Sequence, residues 1–396
     1  MQPSSPQSQQ LPQPDVASRQ HSERVALSLR AAMQAAGGTL SFGEFMQHAL
    51  YAPGLGYYAA GTRKFGREGD FTTAPEISPL FARVIARQCV PVLQQLADGS
   101  LLELGAGSGA LAAELLRSLA RHEALPKQYF ILEVSADLRE RQQRRLRREL
   151  PQLLKRVHWL DQLPANFRGV VVANEVADAL PVERFRKAAD GVEQFRVGHD
   201  DGRFAWKIAG APDWLATAVA AIEESLGFAL PAGYVSELSP GLQGWIGDIA
   251  NCVDEALLLF FDYGVARREY YAPDRHSGWL RCHFRHRVHN DPLLNPGIQD
   301  LTAWVDFTAI AEAAVAAGLD VEAWLTQAHF LLHGGLQEEL QGFAADDATA
   351  RAALSQQVKL LTLPGEMGEH FKCMALSRGG IALPDSLRMA DRSHAL

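Results

Sequence analysis

The 396-residue chain is 47% hydrophobic and 21% charged and carries a net charge of -8, the profile of a globular protein of one large or two ordinary domains with a sizeable core. That acidic balance argues against a broad nucleic-acid surface, which needs a basic face. Four scattered cysteines (Cys89, Cys252, Cys282 and Cys373) form no C-x-x-C pair, which argues against a disulfide framework or zinc knuckle and suits a reducing compartment.

In chain order, Met1 to about Ala17 is rich in Gln, Pro and Ser and reads as a disordered tail with neither a signal peptide nor a transit peptide, so cytoplasmic residence is expected. The pattern predicts an amphipathic helix over Glu23–Ala36, stopped at Gly37-Gly38. Ser41 and Glu44 have capping-box spacing for a short helix. The glycine-rich, aromatic stretch through residues 51–78 predicts a long loop of functional kind, and Ser78–Ala97 predicts a helix. Residues 18–99 thus form an N-terminal helical segment with an active-site loop.

From Ser100 the pattern alternates. The expected strands are Ser100–Leu104, "QYFILEV", "VHWL", "GVVVANE" and "ALLLFFDYG", with helices "ALAAELLRSLARHE" and "SADLRERQQRRLRREL" between the first three. Near-continuous apolar strands alternating with helices predict an α/β, Rossmann-like, doubly wound and mostly parallel sheet, over residues 100–184 and 232–378. Residues 185–231 interrupt it as an α+β insertion, with Asp201-Gly202 as a hairpin signal. "VEAWLTQAHFLLHGG" reads as further helix, "FKCMALSR" as the last strand, and 379–396 as a C-terminal tail. The longest apolar run, "ALLLFF", is strand-sized, so no membrane span is expected.

The segment "LLELGAGSGAL", residues 101–111, places Gly105, Gly107 and Gly109 between a strand and a helix. The glycines allow a sharp turn and close backbone approach to a ligand, and the following helix offers free N–H groups. Gly105, Gly107 and Ala110 satisfy the dinucleotide fingerprint, so the glycines alone do not choose a cofactor. Glu103 does. A carboxylate two residues before the turn repels a pyrophosphate and attracts the sulfonium and ammonium of S-adenosylmethionine. Glu133, at the end of the next strand, suits two ribose hydroxyls of either ligand.

Seven segments together resemble one family. "LLELGAGSGAL" and "YFILEVSADLRERQ" resemble the first two motifs of class I methyltransferases. With "GREGDFTTAPEISPLF", "ANEVADALPVERF", "FFDYG", "LRCHFRHRVHNDPLLNPGIQDLTAWVDF" and "MGEHFKCMAL", the chain resembles the MidA family from about Gly43 to Ser377. That resemblance implies S-adenosylmethionine as cofactor and a protein substrate methylated on arginine, as in the mitochondrial members that assist assembly of respiratory complex I. The family commonly has Gly-Pro-Gly where this chain has Gly105-Ala106-Gly107, and an aromatic pair where it has Val176-Ala177. The second departure bears on how a target side chain is packed.

On the acceptor side, Asn174, Glu175 and Asp178 follow a buried strand, where a doubly wound sheet opens its crevice. They are the expected catalytic set, with Glu175 orienting a cationic acceptor. Glu183 is a further candidate, since by spacing Glu175 and Glu183 resemble the paired glutamates of known arginine methyltransferases. Asp70, Thr72, Thr73 and Glu76 are expected to fold over the methionine end of the donor, Asp70 and Thr72 being the cofactor-binding candidates. Asp262 is expected at the crevice, with Arg281 and Asp300 near the acceptor channel. His283, His286 and His289 have no fourth ligand nearby and no H-E-x-x-H pattern, so no metal site is expected. The arginine-rich helix is expected to be a solvated face with a Glu140–Arg144 pair. Two other readings stay open on the sequence: a non-catalytic assembly chaperone that keeps the donor fold, and a dinucleotide-dependent oxidoreductase.

Overall fold

The computed structural model describes residues 11–60, 72–341 and 347–396. The first helix, α1 (Val16–Ala35), starts earlier than the apolar pattern implies, because Asp15 caps it by accepting from the Ser18 N–H at 2.8 Å. The short strand β1 (Leu40–Ser41) leads into α2 (Phe42–Tyr51), whose capping box joins Ser41 and Glu44 as their spacing predicts. After α3 (Ala74–Ile77) comes α4 (Pro79–Gln95). The α/β core follows: β2 (Ser100–Leu104), α5 (Ala110–Arg121), β3 (Tyr129–Leu132), α6 (Ala136–Glu149), β4 (Val157–Leu160) and β5 (Phe167–Asn174).

An antiparallel unit then interrupts the core: β6 (Glu183–Ala188), β7 (Gly191–Asp200), β8 (Arg203–Gly210), α7 (Asp213–Leu226) and β9 (Val235–Leu238). The expected 185–231 limits are too narrow. The strands begin at Glu183 and close at Leu238, and β1 joins the same sheet in the order β1-β7-β6-β9, with β8 against β7. Asp201-Gly202 does turn the β7–β8 hairpin, with φ of 46° and 80°.

The chain returns through α8 (Leu242–Cys252), β10 (Val253–Val265) and α9 (Arg267–Tyr270). A three-stranded sheet, in the order β12-β11-β13, is built from β11 (Leu280–Phe284), β12 (Arg287–His289) and β13 (Asp300–Ala303). Then come β14 (Val305–Asp306), α10 (Phe307–Ala316), β15 (Asp320–Thr326), α11 (Gln327–His333) and, after further helices, β16 (Phe371–Arg378).

The core sheet runs β15-β16-β10-β5-β2-β3-β4 with β14 beside β10. Neighbours from β10 to β4 are parallel, and only β16 is antiparallel to its partners. Both faces are covered. One carries α4 and α5 against residues such as Leu101, Val170 and Leu259; the other carries α8 and α10 against Leu102, Val171 and Leu258. Double coverage explains the continuous apolar strands. It also explains why "VEAWLT" is strand rather than the expected helix: as β15 it buries Ala323, Trp324 and Leu325 in succession, a run that periodicity cannot distinguish from a buried helix. Thr326 then caps α11.

The C-terminal residues are not loose: Asp391 accepts from the Trp324 N–H at 2.8 Å and Leu387 is buried. Among the described residues no helix is long and apolar enough to cross a membrane.

Candidate active site

The carboxyl ends of β2, β3 and β5 open into a cavity of about 540 Å³, within the range of roughly 300–1,000 Å³ usual for small-molecule sites. The β2–α5 turn forms one wall. Gly105, Gly107 and Gly109 have φ of 65°, 52° and 79°, backbone that glycine adopts without steric cost. A Cβ on Gly105 would also stand 3.1 Å from Val176 Cγ2. Gly105 and Gly107 line the cavity directly, and Gly109 caps α5 without a side chain.

Glu103 lines the same cavity and is buried on β2. Its carboxylate accepts from the Tyr129 hydroxyl at 2.6 Å. Burial pushes its pKa up to about 7, the Tyr129 hydrogen bond opposing and Glu133 adding to the rise. Glu133 follows β3 and accepts from the Ser135 N–H at 3.0 Å and the Gln142 amide at 2.9 Å. Gln142 also donates to the Gly107 carbonyl at 2.9 Å and accepts from the Trp159 indole at 2.9 Å. It therefore ties the glycine turn to Glu133. The sequence reading missed Gln142 because it sits among arginines. Its signal is the buried stripe Leu138, Gln142, Leu146, spaced one helical turn apart.

The same helix corrects the solvated-face reading of its arginines. Arg145 donates to Glu76 at 3.1 Å and to Ser108 Oγ at 2.8 Å, and Ser108 also donates to Glu76. Arg139 donates to the carbonyls of Glu133 and Leu160 at 3.0 and 2.8 Å. The Glu140–Arg144 pair is present at 3.6 Å and exposed.

Asn174 and Glu175, at the end of β5, line the opposite wall. Glu175 has φ of 53°, a left-handed conformation that is uncommon for a non-glycine residue. Its N–H donates to the Phe261 carbonyl at 2.8 Å. Its carboxylate accepts from the Asn174 amide at 3.2 Å. Burial and the neighbouring Asp178 raise its pKa to about 8, against the hydrogen bonds from Asn174 and the Ala74 N–H. Among the described residues the Asn174 side-chain oxygen is buried without a hydrogen-bond partner, an acceptor that a bound donor group would satisfy.

Asp178 lies behind this wall, not on it. It accepts from the Tyr263 hydroxyl at 2.6 Å, and burial raises its pKa to about 6. Asp262 departs from the expectation that it lines the crevice: it accepts from the N–H groups of Ala177, Asp178 and Tyr263 at 2.9, 3.1 and 2.9 Å and so braces the loop after β5. Glu183 is also elsewhere. It is buried and accepts from Ser41 Oγ at 2.5 Å and the Gln194 amide at 3.0 Å, latching α2 to the antiparallel sheet.

Thr73 lines the cavity while Thr72 is exposed and does not; Asp70 lies outside the described residues. Asp300 accepts from Tyr58, a cavity residue, at 3.0 and 3.1 Å. Arg281 donates to the Leu280 carbonyl at 2.8 Å and does not line the cavity. His283, His286 and His289 belong to the β11–β12 hairpin, whose turn Arg285–His286 has φ of 49° and 59°. Among the described residues no group of three or more His, Cys, Asp or Glu is placed to hold a metal ion. Gln47, Tyr51, Tyr58 and Trp245 are cavity residues that sequence reasoning did not single out.

A mostly parallel, doubly covered sheet with a glycine turn after β2, an acid on that strand and another after the neighbouring β3 defines a class I methyltransferase fold. Comparison with known proteins narrows this. A protein-family model described as "Putative S-adenosyl-L-methionine-dependent methyltransferase" matches residues 84–324, more than half of the chain, and the chain belongs to that MidA-like family.

The chain is 27% identical to the protein arginine methyltransferase NDUFAF7, mitochondrial, of Danio rerio, over 85% of this chain and 82% of that protein. It is 29% identical to the Drosophila melanogaster homologue, over 93% and 89%. A superfamily member from Burkholderia thailandensis, crystallised with S-adenosyl-homocysteine, is 41% identical with a TM-score of 0.92, covering 98% of this chain and all of that one.

Proposed function

We propose that this protein transfers a methyl group from S-adenosylmethionine to an arginine side chain of a protein. The observation that carries the reading is the convergence of three carboxyl groups, Glu103, Glu133 and Glu175, on one cavity beside an open glycine turn. Both the donor and an arginine acceptor are cations, and carboxylates attract and orient them. The residues fit the donor: the turn leaves room for close approach, the Glu133 carboxyl group lines the cavity after β3, where it suits ribose hydroxyls, and Glu103 on β2 is the acid for the amino-acid end. Bound there, S-adenosylmethionine supplies an electrophilic methyl group on a sulfonium.

The chain's own work is positioning and proton management. Glu175 and the unpartnered Asn174 oxygen face the acceptor and accept its N–H groups. Asp178 supports the wall behind Glu175, held by Tyr263. Glu175 is the carboxyl group placed to take the proton that the methylated nitrogen loses. Thr73 and α3 close over the turn, fixed through Glu76, Ser108 and Arg145.

The relatives named as arginine methyltransferases support the acceptor class, and respiratory-chain subunits are the first acceptors to examine, as the family resemblance implies. The test is to incubate the purified protein with deuterated-methyl S-adenosylmethionine and a lysate from cells lacking the gene, then locate the label by mass spectrometry. Label on protein arginine, absent with Glu175→Gln, is the expected result. Label confined to other residues or to small molecules would overturn the acceptor assignment, and a client that assembles only with the protein yet carries no label would favour the chaperone reading.

A further inference from the structure

Two tyrosines reach the cavity from outside the segment that the family model matches. Tyr51 ends α2 and Tyr58 follows it, and both line the cavity beside Ala179 and Leu180 of the loop that carries Glu175. Their rings stack, with centroids 5.5 Å apart and planes 24° from parallel. Neither hydroxyl is available for chemistry. Tyr51 donates to the Ala179 carbonyl at 2.9 Å, and Tyr58 to the Asp300 carboxylate at 3.0 and 3.1 Å. Those bonds pin the rings, so that these two residues present aromatic carbon to the cavity, beside the Gln47 amide from the same helix. Asp300 and Tyr57, which packs edge-on to Tyr58 at 5.1 Å, hold the second ring from behind.

A rigid aromatic wall in a cavity that also holds carboxyl groups selects among cations. A guanidinium is planar, delocalised and weakly hydrated, and it stacks on an aromatic face while its edge meets a carboxylate. An ammonium is a compact, strongly hydrated point charge that loses more on entering such a slot. We propose that Tyr51 and Tyr58 form the acceptor-binding wall that selects a guanidinium over an ammonium, with Glu175 and Asn174 meeting its N–H edge. The proposal rests on the arginine reading above and adds the residues that enforce it.

The test uses two conjugates that join adenosine through its 5′ position to an alkylguanidinium or to an alkylammonium, with one linker length. Their affinities for the full-length protein are measured by calorimetry, with S-adenosyl-homocysteine as the fold control. The wild type is expected to bind the guanidinium conjugate about tenfold more tightly, the ratio one desolvated cation–π contact produces. Tyr51→Leu and Tyr58→Leu should reduce the ratio to twofold or less while S-adenosyl-homocysteine binds within twofold of wild type. Tyr51→Phe, which keeps the ring and loses the hydroxyl, should retain the preference.

A preference surviving both leucine substitutions, or lost equally in Tyr51→Phe, would overturn the wall and leave the arginine reading standing. Equal affinity for both conjugates in the wild type would remove the arginine reading and the wall together. Where Tyr51→Leu fails the S-adenosyl-homocysteine control, Tyr58→Leu decides.

Discussion

Replacing Glu175 by glutamine should separate two pH profiles. With its pKa at about 8, roughly a tenth of the molecules carry the carboxylate at pH 7. Burial is the main cause and Asp178 the next, with Asp300 adding to the rise. A guanidinium held about 4 Å away contributes about 4 kcal/mol at an effective dielectric near 20, and each pKa unit is about 1.4 kcal/mol. A bound acceptor therefore pulls the group's pKa down toward the ordinary carboxylate range. Since kcat/KM reports the free enzyme and kcat the complex, kcat/KM for the acceptor should climb through pH 6–8 while kcat stays level there. The assay is methyl transfer at saturating S-adenosylmethionine, on the acceptor found by deuterium labelling. Glu175→Gln should lose the kcat/KM limb and about 10- to 100-fold of its value, the worth of a charge-assisted hydrogen bond. Activity within twofold of wild type, or the same limb in the variant, would refute the assignment.

Three further outcomes follow from the buried acids. Glu103 titrates at about 7 in the fold against 4.5 for an unperturbed glutamate. The folded state thus binds the proton more tightly, and stability is complete below pH 4.5, falls as pH rises to 7 and levels off above, by about 3 kcal/mol in all. Urea titrations of the donor-free protein should show a fall to which Glu175 and Asp178 also contribute, and Glu103→Gln should make it shallower by that amount; a variant with the wild-type slope would assign the effect elsewhere. Glu183→Ala should cost about 2 kcal/mol by leaving Ser41 and Gln194 without their acceptor, with donor affinity unchanged by calorimetry; a tenfold loss of affinity would return Glu183 to the site. Asp262→Ala removes the acceptor of three loop N–H groups. It should weaken acceptor use, read as a raised KM, more than donor binding, and equal losses in both would contradict a brace confined to the loop after β5.

What the sequence disclosed follows from how local each signal is. The strands from Ser100 to Val265 are legible because a sheet covered on both faces demands continuous apolar runs, and the turn at Gly105 because no other residue takes its conformation at no cost. Glu103 and Glu133 are legible because each sits at a fixed offset from a strand end. Glu183 misleads for the opposite reason: its spacing from Glu175 looks catalytic, but β6 carries it into the antiparallel sheet, where Ser41 of the N-terminal segment claims it. Asp262 likewise sits at the expected strand end, yet three N–H groups face it there. Tyr51 and Tyr58 are invisible as site residues because the fold alone brings α2 against the loop after β5. "VEAWLT" is ambiguous in principle, since burial on both faces erases the strand period.

Titrating the purified protein with S-adenosylmethionine and, separately, with NAD decides which of the two this acid-lined cavity holds. Saturable one-site binding of S-adenosylmethionine, weakened at least tenfold by Glu133→Ala, with no heat from NAD, is the predicted result. Binding of NAD alone, or S-adenosylmethionine affinity untouched by Glu133→Ala, would contradict it.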